Sequence, residues 1–205
     1  MTSRLSGLAR ACHPVPSVAV TVLSTALFIS AGNPARTCCL GALALLCGQL
    51  SIGWSNDLID RGRDLAAART DKPLAAGALD AALLRRACAV AVVLTVPASL
   101  ALGWRPGLIH LAAVGAGWAY NLGLKSHWLS PLPYLVAFAS LPVIATLALP
   151  DPRWPPAWIV LAAALVGAGA HFANVLPDLP TDLVDGVRGL PQRLGSTGAT
   201  LGAAA

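Results

Sequence analysis

Three aspartates at the end of a long apolar run have the spacing of a metal site. Asp57, Asp60 and Asp64 are three and seven residues apart, and Asn56 stands beside the first of them. On a helix this spacing places the side chains on one face. Carboxylates gathered in this way repel one another unless a cation binds them, and oxygen ligands suit a divalent metal. The row therefore predicts that a divalent cation binds here.

A second polar cluster follows a later apolar run. Asn174, Asp178 and Asp182 are spaced by four residues, which again favours one helical face. Pro177 and Pro180 are expected to kink or break that helix, because proline lacks the backbone N–H that a helix needs. A broken helix is tolerated where it lines a cavity. The two clusters together predict one metal-lined pocket.

Composition places both clusters in a membrane protein. The 205 residues are 56% hydrophobic and 11% charged, whereas a soluble domain carries about 25% charged residues. Six apolar runs approach the ~20 residues that span a bilayer. They predict an all-α integral membrane bundle forming one domain over residues 1–205, with spans at 15–31, 38 into the aspartate row, 87–104, 108–124, 132–149 and 158–174. The first run also suits a secretory signal peptide, but the five further runs favour a retained helix.

The distribution of basic residues predicts the orientation of this bundle. With the N-terminus in the cytoplasm, inner segments hold eleven arginines and lysines, and outer segments hold only Arg36, Arg105 and Arg153. Inner loops of membrane proteins are enriched in these residues. The chain is therefore expected to be a multi-pass protein of the inner or plasma membrane, with both aspartate clusters on the cytoplasmic side. No basic tract interleaves with aromatic residues, so nucleic-acid binding is not expected. The four histidines are dispersed, and none is assigned to a metal.

The two clusters resemble the motifs of the UbiA family of intramembrane prenyltransferases. The first matches the family pattern N-D-x-x-D-x-x-x-D, and the second is similar to its second aspartate motif. Segments 69–74, 120–125 and 186–195 also look like that family, and the resemblance covers about residues 12–195. It implies magnesium-dependent transfer of a prenyl group from an isoprenoid diphosphate to a small acceptor within the membrane. An aromatic acceptor is favoured, and neither the acceptor nor the prenyl length is specified.

The resemblance also implies roles for individual residues. The expected magnesium ligands are Asp57, Asp60, Asp64, Asp178 and Asp182. The expected catalytic groups are four of these, namely Asp57, Asp60, Asp178 and Asp182, together with Tyr120. The expected substrate-binding residues are Asn56, Arg69, Lys72, Asn121, Lys125 and Asn174.

Some acidic residues have a purely structural alternative to a role in the site. Asp64 and Asp71 are alternatively solvated loop acids paired with Arg61 or Arg69. Arg61 and Arg63 are expected to point away from the aspartate row and to leave it incompletely neutralised.

Four residues near other helix ends or turns also have alternative roles. Lys125 is alternatively a positively charged anchor at the inner membrane surface. Tyr120 and Asn121 either line the cavity, with Tyr120 facing a cation, or only pack between helices. Asp185 is alternatively the cap of a turn.

The number of helices separates this sequence from the family pattern. The family typically has nine membrane helices, and six are predicted here, so the chain alone is expected to lack part of the cavity wall. A homo-oligomer would be one way to complete it. The main alternative is therefore a truncated, non-catalytic membrane protein that binds isoprenoid diphosphate. A cation transporter is less favoured, because the acids cluster at the inner surface rather than at the midplane.

Overall fold

The computed structural model describes residues 4–184 and 186–204, and these residues form helices and turns without a strand. The helices, in chain order, are α1 (Arg4–Ala11), α2 (Pro14–Ala31), α3 (Ala35–Ala66), α4 (Ala81–Leu100), α5 (Trp104–Leu122), α6 (Leu132–Leu147), α7 (Ala157–Val175), α8 (Leu179–Val184) and α9 (Leu190–Ala204). Short 3₁₀ turns occupy Leu124–Ser126 and Leu176–Asp178.

Helices α2 to α7 lie at the six predicted positions, so the all-α membrane bundle is confirmed. Within the described ranges, four helical segments are long and apolar enough to cross a membrane: α2, α3, α4 and the segment Ala157–Val184. Helix α6 is shorter and also apolar.

Helix α3 is the longest element and explains why the first aspartate cluster can lie at a membrane surface. Its 32 residues extend about 48 Å at 1.5 Å per residue, whereas the hydrocarbon core of a bilayer is about 30 Å thick. One end of α3 must therefore project beyond the apolar layer. The polar end carries Asp57, Asp60 and Asp64, while the preceding turns pack against α2, α4 and α5.

The bundle closes through contacts between helices that are distant in sequence. Helix α6 packs between α5 and α7, and α2 contacts α6. The ring of Phe28 in α2 is buried in a core that includes Ile144 and Ala145 of α6. A cavity remains inside the closed bundle. Residues of α2, α3, α5, α6 and α7 line it.

Helix α1 and the connection between α3 and α4 form a small cluster beside the aspartate end of α3. Ala11, Leu74, Leu79 and Leu84 share a buried apolar core there. The indole Nε1 of Trp54 donates a hydrogen bond of 3.0 Å to the carbonyl of Leu8. The segment predicted only as a short basic N-terminus is therefore a helix docked on α3.

The chain beyond the second cluster adds a helix that the sequence analysis did not predict. Helix α9 packs against α7 and bends at Gly195, whose φ of 70° is readily adopted by glycine. Ala199 is fully buried, and a methyl group at Gly202 would lie 2.9 Å from the ring of Phe172. Small residues let α9 approach α7 closely.

Candidate active site

A cavity of about 420 Å³ runs into the bundle from the aspartate end of α3. Its deeper walls are apolar, formed by side chains such as Leu45, Ile52, Phe138 and Leu141. Every predicted site residue except Asp57 lines it. These are Asn56, Asp60, Asp64, Arg69, Lys72, Tyr120, Asn121, Lys125, Asn174, Asp178 and Asp182. The structure thus brings both clusters to one cavity whose mouth is charged and whose interior is apolar.

Asp57 lies behind the cavity wall rather than in it, and only 1% of the residue is exposed. The Lys72 ammonium donates a hydrogen bond of 2.8 Å to its Oδ1, and the Nε2 atom of His13 lies 3.2 Å from the same oxygen. Its Oδ2 is buried and has no hydrogen-bond partner among the described residues. Lys72 and His13 therefore separate Asp57 from the cavity.

Asp60 is held by two basic residues. Lys125 donates hydrogen bonds of 2.5 Å to both carboxylate oxygens, and Arg63 pairs with Oδ1. The expectation that Arg63 points away from the row is wrong, because residues three apart on a helix are neighbours. Arg61 does point elsewhere, into a separate surface pocket.

Lys125 occupies a buried position beside the cavity. Its side chain is 11% exposed and lines the cavity, unlike an exposed anchor at the membrane surface. Burial lowers the pKa of Lys125, and the carboxylate of Asp60 opposes that shift.

The second cluster has the broken geometry that its prolines predict. Helix α7 ends at Val175, a 3₁₀ turn carries Asp178, and α8 carries Asp182. The side-chain amide of Gln192 donates a hydrogen bond of 2.7 Å to Asp182 Oδ2. Asp185 lies outside the described residues.

Arg69 joins the two sides of the mouth. It donates two hydrogen bonds to Asp71, of 2.9 and 2.8 Å, and its Nη2 lies 3.3 Å from Asp178 Oδ1. These hydrogen bonds lower the pKa of Asp71 to about 2 and raise that of Arg69. The alternative for Asp71, a solvated acid paired with Arg69, is confirmed. Asp64 lines the cavity and forms no ion pair within the described part of the chain.

Polar side chains connect α3 and α5 along the cavity wall. The amide nitrogen of Asn121 donates to the Ile52 carbonyl (2.8 Å) and the Ser55 hydroxyl (2.9 Å), which fixes α5 against α3. The Asn56 amide donates to Asn121 Oδ1 at 3.2 Å. These bonds place Asn56 and Asn121 side by side on the cavity wall.

Tyr120 combines both of the roles that the sequence left open. It lines the cavity and also packs edge-on against Tyr134 and His171, with centroid separations of 5.4 and 5.6 Å. Tyr134 accepts a hydrogen bond of 3.3 Å from Asn174.

Comparison with known proteins identifies the family. The sequence model of the UbiA prenyltransferase family matches residues 17–205. The chain belongs to the UbiA prenyltransferase family. The predicted resemblance is thereby confirmed over most of the chain. Comparison with curated proteins finds no match.

Solved structures share the UbiA fold with this chain. A UbiA homologue from Archaeoglobus fulgidus bound to DMAPP and Mg²⁺ has a TM-score of 0.80 at 19% identity, over 97% of this chain and 73% of the homologue. The same homologue bound to GPP and Mg²⁺ has a TM-score of 0.77 at 19% identity, over 95% and 71%. A structure of digeranylgeranylglyceryl phosphate synthase has a TM-score of 0.72 at 15% identity, over 97% and 72%. At these identities the similarity establishes the fold.

The acidic residues of this UbiA family chain suit a magnesium ion that is held partly by the substrate. Among the described residues, no three His, Cys, Asp or Glu side chains converge closely enough to hold a metal by themselves. Mg²⁺, however, usually takes one or two carboxylates and completes its shell with water and substrate phosphates. The carboxylates of Asp64, Asp178 and Asp182 line the cavity and suit that mode of binding, and Asp64 forms no ion pair within the described residues. Asp57 lies behind Lys72 and His13, and its Oδ2 has no partner among the same residues. The five predicted ligands remain a prediction.

Sequence reasoning missed three residues that contact the aspartates of the UbiA motifs. Arg63 was detectable, because its spacing from Asp60 is the i,i+3 spacing of helix neighbours. Gln192 lies in a segment that resembles the family, but nothing in its spacing links it to Asp182. His13 is 44 residues from Asp57, and only the docking of α1 on α3 brings the two together.

Proposed function

We propose that this chain transfers a prenyl group from an isoprenoid diphosphate to a small acceptor inside the membrane, with Mg²⁺ as the cofactor. The observation that carries the proposal is a cavity whose two ends differ in chemistry. Lysine, arginine and aspartate side chains from both motifs line its mouth, while apolar side chains line its interior. This arrangement suits a substrate with a charged head and an apolar tail.

The length of the cavity supports a prenyl tail. Fifteen residues of α3 separate Asp60 at the mouth from Leu45 deep in the wall, which corresponds to about 22 Å along the helix. A diphosphate held near Asp60 would therefore leave room for an extended isoprenoid chain along α3. The apolar interior would keep water from the reacting carbon.

The charged residues at the mouth would bind the leaving group. Lys125, Arg69 and Arg63 can donate charge-assisted hydrogen bonds to diphosphate oxygens, and they hold positions set before the substrate arrives. Asp64, together with Asp178 or Asp182, would hold magnesium at the mouth, and Asp57 would join them if the diphosphate drew Lys72 away from it. Bound there, the metal would act as a Lewis acid on the leaving diphosphate.

The transfer step would break the bond between the allylic carbon and the diphosphate oxygen. The electron pair of that bond leaves with the diphosphate, and an electron-rich carbon of the acceptor forms the new bond. The acceptor then loses a proton. The aromatic face of Tyr120, which lines the cavity close to the mouth, can stabilise the positive charge that develops on the allylic carbon.

Product analysis tests this proposal directly. The purified chain in lipid nanodiscs is incubated with Mg²⁺, dimethylallyl or geranyl diphosphate, and a panel of aromatic and alcohol acceptors, and products are identified by mass spectrometry. We expect a prenylated product that disappears with excess chelator and in Asp57→Ala and Asp178→Ala variants. Asp151→Ala is the matched control, because Asp151 is exposed in the α6–α7 connection.

The outcomes separate the proposal from its main alternative. Binding of diphosphate without any prenylated product would favour the non-catalytic binding protein. Full transfer in the presence of excess chelator would contradict the role of the metal.

A further inference from the structure

The elbow between α1 and α2 brings a histidine to the mouth of the cavity. His13 precedes Pro14, the first residue of α2, and adopts φ 53° and ψ 69°. This left-handed region is uncommon for residues other than glycine and carries an energetic cost. Such a conformation persists only when surrounding contacts enforce it.

Contacts with α3 enforce it here. The Cys12 carbonyl lies so close to α3 that a methyl group at Gly53 would be 2.4 Å from its oxygen. The same carbonyl accepts a hydrogen bond of 2.8 Å from the Ser17 hydroxyl. One residue along α3, Trp54 donates to the Leu8 carbonyl. The elbow is therefore fixed on both sides of His13.

The fixed elbow directs the imidazole toward the charged residues of the mouth. His13 Nε2 lies 3.2 Å from Asp57 Oδ1 and 3.0 Å from Lys72 Nζ. The His13 side chain is 40% exposed, whereas that of Asp57 is 1% exposed, and His13 lines the cavity. The imidazole thus stands between Asp57 and the space where a ligand's charged head would lie.

The two contacts place opposite demands on one nitrogen atom. A lysine ammonium can only donate, so Nε2 must accept toward Lys72, while a carboxylate can only accept, so Nε2 must donate toward Asp57. One nitrogen cannot meet both demands at the same time. The Lys72 ammonium has three donors and reaches both groups, so it can bridge Asp57 and an Nε2 that carries no proton. The proton of the neutral imidazole then lies on Nδ1, which has no hydrogen-bond partner within residues 4–184 and 186–204. Nδ1–H is therefore free to donate to an anion at the mouth.

We propose that His13 is a substrate-binding residue that donates a hydrogen bond to the diphosphate in this cavity. The inference rests on the proposed function, since it assumes that a diphosphate binds at the mouth. It assigns a binding role to the α1–α2 elbow, whose distorted backbone positions the imidazole.

The backbone conformation allows a test that separates binding from folding. In His13→Gly the ring is lost, but glycine adopts positive φ without strain, so thermal stability should be kept or increased. His13→Asn also tolerates this backbone region and keeps an amide donor. His127→Ala is the control, because His127 is an exposed histidine outside the cavity.

Affinity for geranyl diphosphate at saturating Mg²⁺ is measured by calorimetry on the purified full chain, together with its melting temperature. Loss of a hydrogen bond to a charged group predicts roughly tenfold weaker binding or more for His13→Gly, with partial recovery in His13→Asn and no change in His127→Ala. A residue with only a structural role would not combine preserved stability with weaker binding.

Three outcomes would overturn the inference. If the parent protein binds geranyl diphosphate and His13→Gly binds it equally well, His13 is not a ligand of the diphosphate and the proposed function stands. If His13→Gly changes only the Mg²⁺ concentration needed for half-saturation, in a Mg²⁺ titration at fixed geranyl diphosphate, then His13 supports Asp57 and does not bind the diphosphate. If the parent binds no diphosphate at all, the inference and the proposed function both fail.

Discussion

Replacing Gly53 by alanine should displace the α1–α2 elbow. The added methyl group would lie 2.4 Å from the carbonyl oxygen of Cys12, 2.7 Å from its carbonyl carbon and 2.9 Å from its Cα atom, whereas Cβ contacts below 3.0 Å essentially never occur. All three atoms belong to the backbone, so no side-chain rotation relieves the clash. The elbow and α3 must separate, and His13 must move away from Asp57.

The size of the effect follows from comparison with a second glycine of the same helix. A methyl group at Gly62 has no atom within 4 Å. Alanine gains about 1 kcal/mol over glycine inside a helix, and this gain applies to both variants and cancels in their difference. The clash costs about 1–3 kcal/mol, and weakening the hydrogen bonds of the elbow costs about 1 kcal/mol more. Gly53→Ala should therefore be less stable than Gly62→Ala by about 2–4 kcal/mol.

Thermal unfolding in one detergent and at one scan rate measures this difference, because membrane proteins often unfold irreversibly. For a chain of this length each kcal/mol shifts the melting temperature by about 2–4 °C, which predicts a gap of roughly 4–16 °C between the two variants. Gly62→Ala should melt at or above the parent temperature. Equal melting temperatures for the two variants would show that α1 and its elbow are not held against α3, and the argument for the position of His13 would fail with it.

Two further predictions concern topology and pH. In a background without the exposed native cysteine, Thr70→Cys and Asp151→Cys should react with an impermeant thiol reagent from opposite sides of the membrane, because three helices separate them; reaction from the same side would contradict the six-span layout. Asp71→Asn should lower the melting temperature at pH 7, because the charged carboxylate accepts two hydrogen bonds from Arg69. The pKa of Asp71 is lowered to about 2, so this stabilisation is complete above the ordinary carboxyl pKa of about 4 and is lost as pH falls through about 2. A gap between parent and variant that persists below pH 2 would show that the ion pair is not its cause.

The positions of the aspartates were predictable because they depend on local structure. Spacing along one helix accounts for Asp60 and Asp64 facing the same cavity, although Asp57 of the same row lies behind the cavity wall. Proline chemistry accounts for the break before Asp182. The long apolar runs likewise predicted six helices, because a run of about twenty apolar residues is typical of a helix that spans a bilayer.

The partners of the aspartates were harder to predict from the sequence, because they depend on tertiary contacts. Lys72 and Lys125 were assigned to a diphosphate, and the structure pairs them with Asp57 and Asp60. Nothing in the spacing of these residues along the chain specifies which carboxylate each one meets. Asp57 and Asp60 are thus paired with basic residues, while Asp64 forms no ion pair within the described part of the chain.

Helix α9 was overlooked for a different reason. Its sequence, Leu190–Ala204, is rich in glycine, alanine, serine and threonine, and it has no long apolar run. Its position depends on close packing against α7, where the absence of side chains at Gly202 makes room for Phe172. A pattern based on hydrophobicity does not detect a helix whose packing depends on small size.

The bridge formed by Arg69 has a consequence for the rate at which ligands reach the cavity. It connects the α3–α4 segment to the turn after α7, and the side chains of Asp71 and Asp178 are 60% and 50% exposed. Exposed ion pairs contribute about 0–1 kcal/mol, so the Arg69–Asp178 contact would be broken in on the order of a tenth of the population or more. Breaking this contact would then not be the slow step of ligand association. An arriving phosphate would compete with Asp178 for the same guanidinium, so its binding would itself release the bridge.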